Sequence, residues 1–258
     1  MANWPRLATI VLGSLLLGGC STPKPVVPGD VETGRETTIA LGTPQAVHLV
    51  GLIELHWSDE DGRHLEQGDL EVWLDGNDRV SARVTKFGDV YVWTGTTPEG
   101  SFTFDLTSDP TVLTTASGGA SQATPLHPRS LRRLLGIGGL PPEAQFHSRD
   151  DQVEIVSPLE GGRVERILLD ATGRQVQRIS IESGEEVEVA ATHRGHEDAL
   201  TLVGLPFARY VDIRSGDSLA RVRIARIEAP DQVPAAVFDL ERLRAALRPD
   251  VTKVDPEP

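Results

Sequence analysis

The clearest β pattern in the chain lies in residues 69–87, DLEVWLDGNDRVSARVTKF. In its first half, Leu70, Val72 and Leu74 recur at every second position, which places their side chains on one face of a strand. The alternation resumes after DGND at residues 75–78, a composition typical of a tight turn. The stretch therefore predicts a β-hairpin with one apolar face.

The same alternation recurs along most of the chain and predicts a mainly β protein of about ten to twelve antiparallel strands. The predicted strands are residues 47–57, 69–74, 80–87, 90–94, 101–106, 152–156, 163–169, 175–181, 186–191, 200–203, 209–213 and 219–227. No internal repeat and no linker separates them, so we expect one domain over residues 35–250.

Two short helices interrupt the strands. Residues 128–135, PRSLRRLL, place three leucines on one helical face after an initial proline, and Gly136 is expected to end this helix. Residues 239–247, DLERLRAAL, begin with Asp239 as a capping residue and stop before Pro249. Residues 115–124 are expected to form a loop, and residues 251–258 a disordered tail.

The N-terminus has the features of a secretory signal. Residues 1–19 contain one basic residue, a short apolar run and two glycines, and the run is too short to span a bilayer comfortably. Leu17-Gly18-Gly19-Cys20 resembles the bacterial lipobox, which implies cleavage before Cys20 and acylation of its thiol and amine. Several acyl chains anchor a protein stably. Residues 20–34 are then a lipidated cysteine followed by a flexible tether.

Charge and cysteine content exclude several classes of function. A net charge of −13 offers no basic surface for nucleic acid, and one cysteine allows neither an internal disulfide nor a cysteine-based zinc cluster. Removal of residues 1–19 takes the net charge to −14, because it removes Arg6 and no acidic residue. Ser21, in place of Asp, favours the outer membrane, facing the periplasm.

One apolar face per strand leaves three architectures open: a sandwich, a closed barrel, or a curved sheet around a ligand cavity. Two short helices cover only part of such a face. The strand pattern alone does not choose among the three.

The lipobox, the tether, the interrupted run of strands and the closing segment PAAVFDL at residues 234–240 resemble the lipoprotein-carrier superfamily of LolA, LolB and the mycobacterial LppX-like lipoproteins. The resemblance covers residues 45–248. It implies a single strongly curved antiparallel sheet, a half-barrel, whose concave face holds acyl chains under helical lids. Residues 32–42 are polar and short, so the helix that this superfamily has before its first strand is expected to be missing.

Candidate chemical sites are few. The stretch HRGHED at residues 193–198 has metal-ligand residue types but is expected to be a loop between strands, and DEDG at 59–62 and DGND at 75–78 are expected to be turns. The chain has no G-x-S-x-G motif, and the glycines at 136–139 follow a helix instead of a strand. We expect no enzyme activity, no cofactor and no metal.

Aromatic residues on the first strands are candidates for a ligand cavity, although packing in the core is the favoured interpretation. They are Trp57, Trp73, Trp93, Phe102 and Phe104. The leading hypothesis is a membrane-anchored envelope lipoprotein that binds or transfers a lipid or another acylated ligand. The alternative is a lipoprotein with a filled core that binds an envelope protein or serves as a scaffold.

Overall fold

The computed structural model describes residues 28–44, 46–60, 62–76, 78–117, 126–149 and 152–255. Within them, one curved open sheet contains 14 strands. The first seven are β1 (Ala46–Asp59), β2 (Gly62–Asp75), β3 (Arg79–Lys86), β4 (Asp89–Thr97), β5 (Gly100–Asp105), β6 (Val112–Ser117) and β7 (Gln145–Arg149). The other seven are β8 (Gln152–Pro158), β9 (Arg163–Leu169), β10 (Val176–Ser183), β11 (Glu186–Leu202), β12 (Leu205–Ser215), β13 (Ser218–Glu228) and β14 (Val251–Asp255).

Three α-helices accompany the sheet: α1 (Pro28–Gly42), α2 (Pro128–Leu134) and α3 (Leu240–Leu247). Short 3₁₀ turns occupy Glu160–Gly162 and Ala235–Phe238. In α3 the Asp239 carboxylate accepts a hydrogen bond from the Arg242 backbone N–H at 3.0 Å, as a capping residue should. Both helices predicted from leucine spacing are confirmed. No helix in the described part of the chain is long and apolar enough to cross a membrane.

Helix α1 corrects the expectation that no helix precedes the first strand, and it begins inside the stretch predicted to be a tether. Its packing explains the error. Gly34 lies against Val153 and Leu169, and the buried Thr38 hydroxyl donates to the Gly34 carbonyl at 2.8 Å. Small and self-satisfied polar residues let the helix approach the sheet without an apolar stripe that a sequence pattern would reveal.

The sheet has the order β14-β6-β5-β4-β3-β2-β1-β13-β12-β11-β10-β9-β8-β7. Pairing of β1 with β13 therefore joins an N-terminal meander to a C-terminal one. All pairs are antiparallel except β14 with β6, which is parallel. Strand β14 corrects the prediction of a disordered tail from residue 251. The turn before it is fixed because the Asp250 carboxylate accepts from the Thr111 backbone N–H at 3.0 Å and from its hydroxyl at 2.8 Å.

Strand β11 corrects a second prediction, the loop at residues 193–198. One long strand runs through this stretch, with His193 paired to Val211 and Arg194 to Tyr210. The polar composition of this stretch suggested a turn. The strand nevertheless continues through it, with a bulge between Glu197 and Thr201 and with Gly195 at φ +68°.

The two faces of the sheet carry separate apolar clusters. The inner face is the one that packs against α1 and α2. Its cluster includes Leu49, Ile53, Val72, Ile155 and Ile213. The outer face is the opposite one, and its cluster packs against α3 and the 3₁₀ turn at Ala235–Phe238.

Candidate functional site

Helix α2 fills the centre of the inner face. Leu131, Leu134 and Leu135, with Ile137 just after the helix, have no exposed surface. Two hydrogen bonds from Arg132 fix the following turn, one from Nε to the Ile137 carbonyl at 3.2 Å and one to the Gly76 carbonyl. The helix thus occupies the surface on which an apolar ligand was expected.

Polar groups lie buried beneath α2. Glu165 on β9 accepts a bond of 3.0 Å from Arg133 of the helix, and burial raises the pKa of this carboxyl. His193 on β11 is 2% exposed, and neither ring nitrogen makes a hydrogen bond of regular geometry within the described residues, although the backbone of Leu134 and Leu135 lies close to the ring. Burial lowers the pKa of His193 to about 3, so its imidazole is neutral.

Gly136 explains how α2 ends above this histidine. The glycine has φ +77°, and a Cβ built on it would lie 3.8 Å from His193 Nε2. A left-handed glycine after a helix is a common terminator, which confirms the predicted helix stop. Substitution by an L-residue would strain the backbone at the point where the chain turns over His193.

Four of the five aromatic cavity candidates lie together on the outer face. Trp73, Trp93, Phe102 and Phe104 are buried with Phe238 and Leu243 from the C-terminal segment. Trp93 Nε1 donates to Ser81 Oγ at 2.8 Å, and Ser81 Oγ donates to the Val237 carbonyl at 2.7 Å. These hydrogen bonds tie the C-terminal segment to the sheet and give the aromatic cluster a packing role.

Trp57 lies apart from the other four. It is half-buried near the β1–β2 turn and stacks on His64 with ring centroids 5.0 Å apart. Its position in β1 places it on the inner face, the same side as Ile53 and Leu55. The structure therefore does not bring the five candidates into one site.

A groove of about 560 Å³ opens on the outer face, where β12, β13, β1, β2 and β3 lie side by side. One cross-strand row forms its floor: Tyr210, Arg223, Leu52, Asp69 and Thr85. Phe87, in the turn after β3, lies at its rim with 94% of its surface exposed. Leu52 is 49% and Tyr210 38% exposed, so the groove combines apolar surface with charge.

Most charges in the groove are paired. Glu54 accepts hydrogen bonds from His56, from Gln67 at 2.8 Å and from Arg221 at 2.8 Å, and these bonds, that of His56 foremost, lower the pKa of Glu54 to about 2. Arg194 donates to Asp212 at 2.7 Å. Arg223 and Asp69 differ, because neither has an ion-pair or hydrogen-bond partner within the described ranges.

Gly195 sets the position of Tyr210 in this groove. With φ +68°, it lies where an added Cβ would meet the Tyr210 ring at 3.1 Å. The tyrosine ring can pack flat over β11 only because no side chain intervenes. A glycine that seemed a loop residue in the sequence thus shapes one wall of the groove.

The other sequence candidates are scattered. Cys20 lies outside the described residues, as do Asp61 and Asn77, and the side chains of Glu197 and Asp198 are likewise not described. The stretches 59–62 and 75–78 fall at the β1–β2 and β2–β3 hairpins, as predicted. Among described residues, no three His, Cys, Asp or Glu side chains are grouped as metal ligands would be.

The groove was not predicted from the sequence. Alternation within the predicted strand at residues 219–227 places Arg221 and Arg223 on one face, but it does not reveal which side chains from distant strands join them. The available signal was Phe87, an aromatic residue at the end of the predicted strand 80–87 and directly before Gly88.

Comparison with known proteins gives the architecture a name. No protein-family model and no curated protein match the sequence. Among solved structures, a LolA superfamily protein from Nitrosomonas europaea superposes with a TM-score of 0.53 at 7% identity, over 83% of this chain and 99% of the other. The chain has the LolA-like fold.

Two further structures agree with this LolA-like fold. A DUF1329 family protein from Desulfovibrio piger gives a TM-score of 0.55 at 8% identity, over 85% of this chain and 100% of the other. A domain from Vibrio parahaemolyticus, described as an outer membrane lipoprotein-sorting protein, gives 0.54 at 7% identity, over 84% and 97%. The curved sheet implied by the sequence resemblance is confirmed. At such identities the likeness concerns the fold.

Proposed function

We propose that this protein is a membrane-anchored envelope lipoprotein that binds or transfers a lipid or another acylated ligand on its inner face. One observation carries the proposal: the LolA-like sheet has an extended apolar inner face, and a helix of only seven residues, α2, covers its centre, where Glu165 and His193 are the buried polar groups. Two further observations support the proposal. Cys20 lies in a lipobox-like sequence, and the Vibrio parahaemolyticus domain, described as an outer membrane lipoprotein-sorting protein, has the same fold.

A ligand on this face would take the place of the α2 side chains. The helix presents three leucines, and Ile137 follows it, so these apolar groups occupy the surface that acyl chains would cover. Its polar attachments are few, chiefly the Arg133–Glu165 pair and the Arg132 hydrogen bonds. If a ligand displaced α2, its acyl chains would therefore cover the same apolar surface that the α2 side chains cover.

The filled inner face also favours a second candidate function. Since α2 leaves its four apolar side chains fully buried, the sheet is stable as a closed core, as expected for a lipoprotein that binds an envelope protein or acts as a scaffold. Both candidates share the fold and the anchor. They differ in whether a ligand can displace α2 from the inner face.

The test uses the mature chain carrying Cys20→Ser and an uncharged fluorescent probe, the methyl ester of cis-parinaric acid. Leu134→Ala should weaken α2 docking by about 2–5 kcal/mol, and since each 1.4 kcal/mol is a factor of ten, the apparent affinity for the probe should rise by about 30-fold or more. Ile39→Ala, an exposed change on α1, is the matched control and should leave the affinity unchanged.

Native mass spectrometry of the same proteins, purified in mild conditions, should detect a co-purifying lipid. If no lipid co-purifies and the probe binds neither the parent chain nor the Leu134→Ala variant, the carrier hypothesis fails. The filled-core alternative would then be retained.

A further inference from the structure

We infer that the outer-face groove is a second binding site, independent of the proposed lipid site, for a small amphipathic anion: an apolar group carrying one carboxylate or phosphate. The groove volume of about 560 Å³ lies within the range typical of small-molecule sites. The groove lies on the face opposite α2. It therefore needs no movement of the helix to be open.

The guanidinium of Arg223 is unpaired within the described residues. Neighbouring Arg221 and Arg194 are bonded to Glu54 and Asp212, whereas Arg223 contacts no carboxylate in the described part of the chain. Its cross-strand neighbours are Leu52 and Tyr210, both apolar in the main and both partly exposed. A free cation between two apolar surfaces is suited to an anion with an apolar body.

The cations in the groove contrast with the negative net charge of the whole chain. With a net charge of −13, most of its surface repels anions, yet the groove lining contains four cations against three carboxylates. Phosphate or carboxylate oxygens can accept a forked pair of hydrogen bonds from arginine. The free Arg223 supplies such a fork.

Phe87 marks the far end of the site. An aromatic side chain that is 94% exposed and sits at φ +56° combines two unfavourable features, loss of apolar contact and a left-handed backbone. The row from Arg223 to Thr85 spans three strand spacings, about 14 Å. An apolar tail extending from Arg223 over Leu52 would reach Phe87.

Asp69 determines the direction in which an amphipathic anion would lie in the groove. Its carboxylate is exposed, has no partner among described residues, and lies two strands from Arg223 in the same row. It would repel a second negative charge near the tail. The geometry therefore favours one anionic head at Arg223 followed by an uncharged tail.

The experiment is calorimetric titration of decanoate into the mature Cys20→Ser chain, with decylammonium as the cationic counterpart. Decanoate should bind, and Arg223→Gln should weaken it about tenfold, the scale of a lost charge-assisted contact. Arg226→Gln is the matched control, because Arg226 is exposed on the same strand and face but outside the groove. It should change the affinity less than twofold.

Two further variants test the orientation. Asp69→Asn should strengthen decanoate binding two- to threefold, since it removes a nearby negative charge. Phe87→Gly should weaken binding several-fold without harming the fold, because glycine adopts φ +56° readily.

Failure here is distinguishable from failure of the proposed function. Absence of decanoate binding, equal effects of Arg223→Gln and Arg226→Gln, or preference for decylammonium would each overturn the groove assignment. Decanoate binding that ignores Arg223→Gln but increases in Leu134→Ala would locate the ligand on the inner face alone. Groove binding of decanoate, combined with no co-purifying lipid and no binding of the parinaric ester to either protein, would leave this inference standing and remove the carrier hypothesis.

Discussion

His193 is held neutral by its burial beneath α2. Its pKa is lowered from 6.5 to about 3, so the folded protein stays unprotonated at pH values where the unfolded chain takes up a proton. Stability is therefore complete above about pH 6.5 and declines as the pH falls towards 3, by roughly 1.4 kcal/mol per pH unit. Burial lowers the pKa of His196 in the same direction, the raised pKa of Glu165 acts in the opposite direction, and Glu54, with its pKa lowered to about 2, contributes below about pH 4.5.

We predict that His193 lowers the free energy of unfolding by about 2 kcal/mol between pH 7.5 and pH 5.0, measured by urea denaturation as the difference in pH dependence between the parent and His193→Leu. The variant should lack this contribution, because leucine fills a similar space and takes up no proton. The variant should also be at least as stable as the parent at pH 7.5, since it removes two buried nitrogens that make no hydrogen bond of regular geometry. An undiminished pH dependence in His193→Leu would show that other groups cause it.

At the scale of elements, β14 depends on the turn that precedes it. Asp250 accepts two hydrogen bonds from Thr111 and its backbone N–H donates to the Thr111 hydroxyl at 3.0 Å, so the pair sets the parallel register of β14 against β6. These bonds lower the pKa of Asp250, chiefly the bond from the Thr111 side chain. The edge of the sheet is thereby stabilised while the carboxylate is ionised.

Asp250→Ala should release β14 without unfolding the sheet. We expect amide hydrogen exchange in residues 251–255 and 112–117 to accelerate at least tenfold, while exchange in β1 and β13 stays unchanged. Acidification of the parent protein through the pKa of Asp250 should lower the protection factors of the same segments, once the slower intrinsic exchange at low pH is taken into account, since protonation weakens the acceptor. Uniform acceleration across the sheet would instead indicate global destabilisation.

Several elements follow from local sequence and several do not. The strand predicted at residues 163–169 matches β9 at both ends, because its alternation is regular and turns bound it. Helix α1 and strand β14 were missed, since the first packs through Gly34 and Thr38 and the second is fixed by Thr111, 139 residues away. Long β11 was divided in two because its polar centre resembles a turn.

The same distinction holds for the sites. Alternation identified which side chains of a strand share a face, but membership of a groove depends on which strands become neighbours. Arg223 and Leu52 are far apart in sequence and adjacent only through the β1–β13 pair. The aromatic residues of the first strands were recognised, whereas the C-terminal segment that buries them on the outer face was not.

For the whole molecule, the lipobox-like sequence makes the strongest prediction about location. Cys20→Ser should release the protein from the membrane fraction and remove the mass of the acyl chains from the N-terminus. Fractionation with mass spectrometry of the N-terminal peptide measures both. Equal membrane retention of the two proteins would contradict acylation at Cys20.

The two separate clusters also determine what tryptophan emission can report. Trp73 and Trp93 are both in the outer cluster, with ring centroids 6.2 Å apart, Trp57 lies by the β1–β2 turn, and Trp4 falls in the predicted signal. Trp73 and Trp93 therefore lie on the face opposite α2, and Trp57 is the one described tryptophan on the inner face. Emission from Trp73 and Trp93 would follow detachment of the C-terminal segment, whereas an optical study of the surroundings of α2 calls for a fluorophore placed beside that helix.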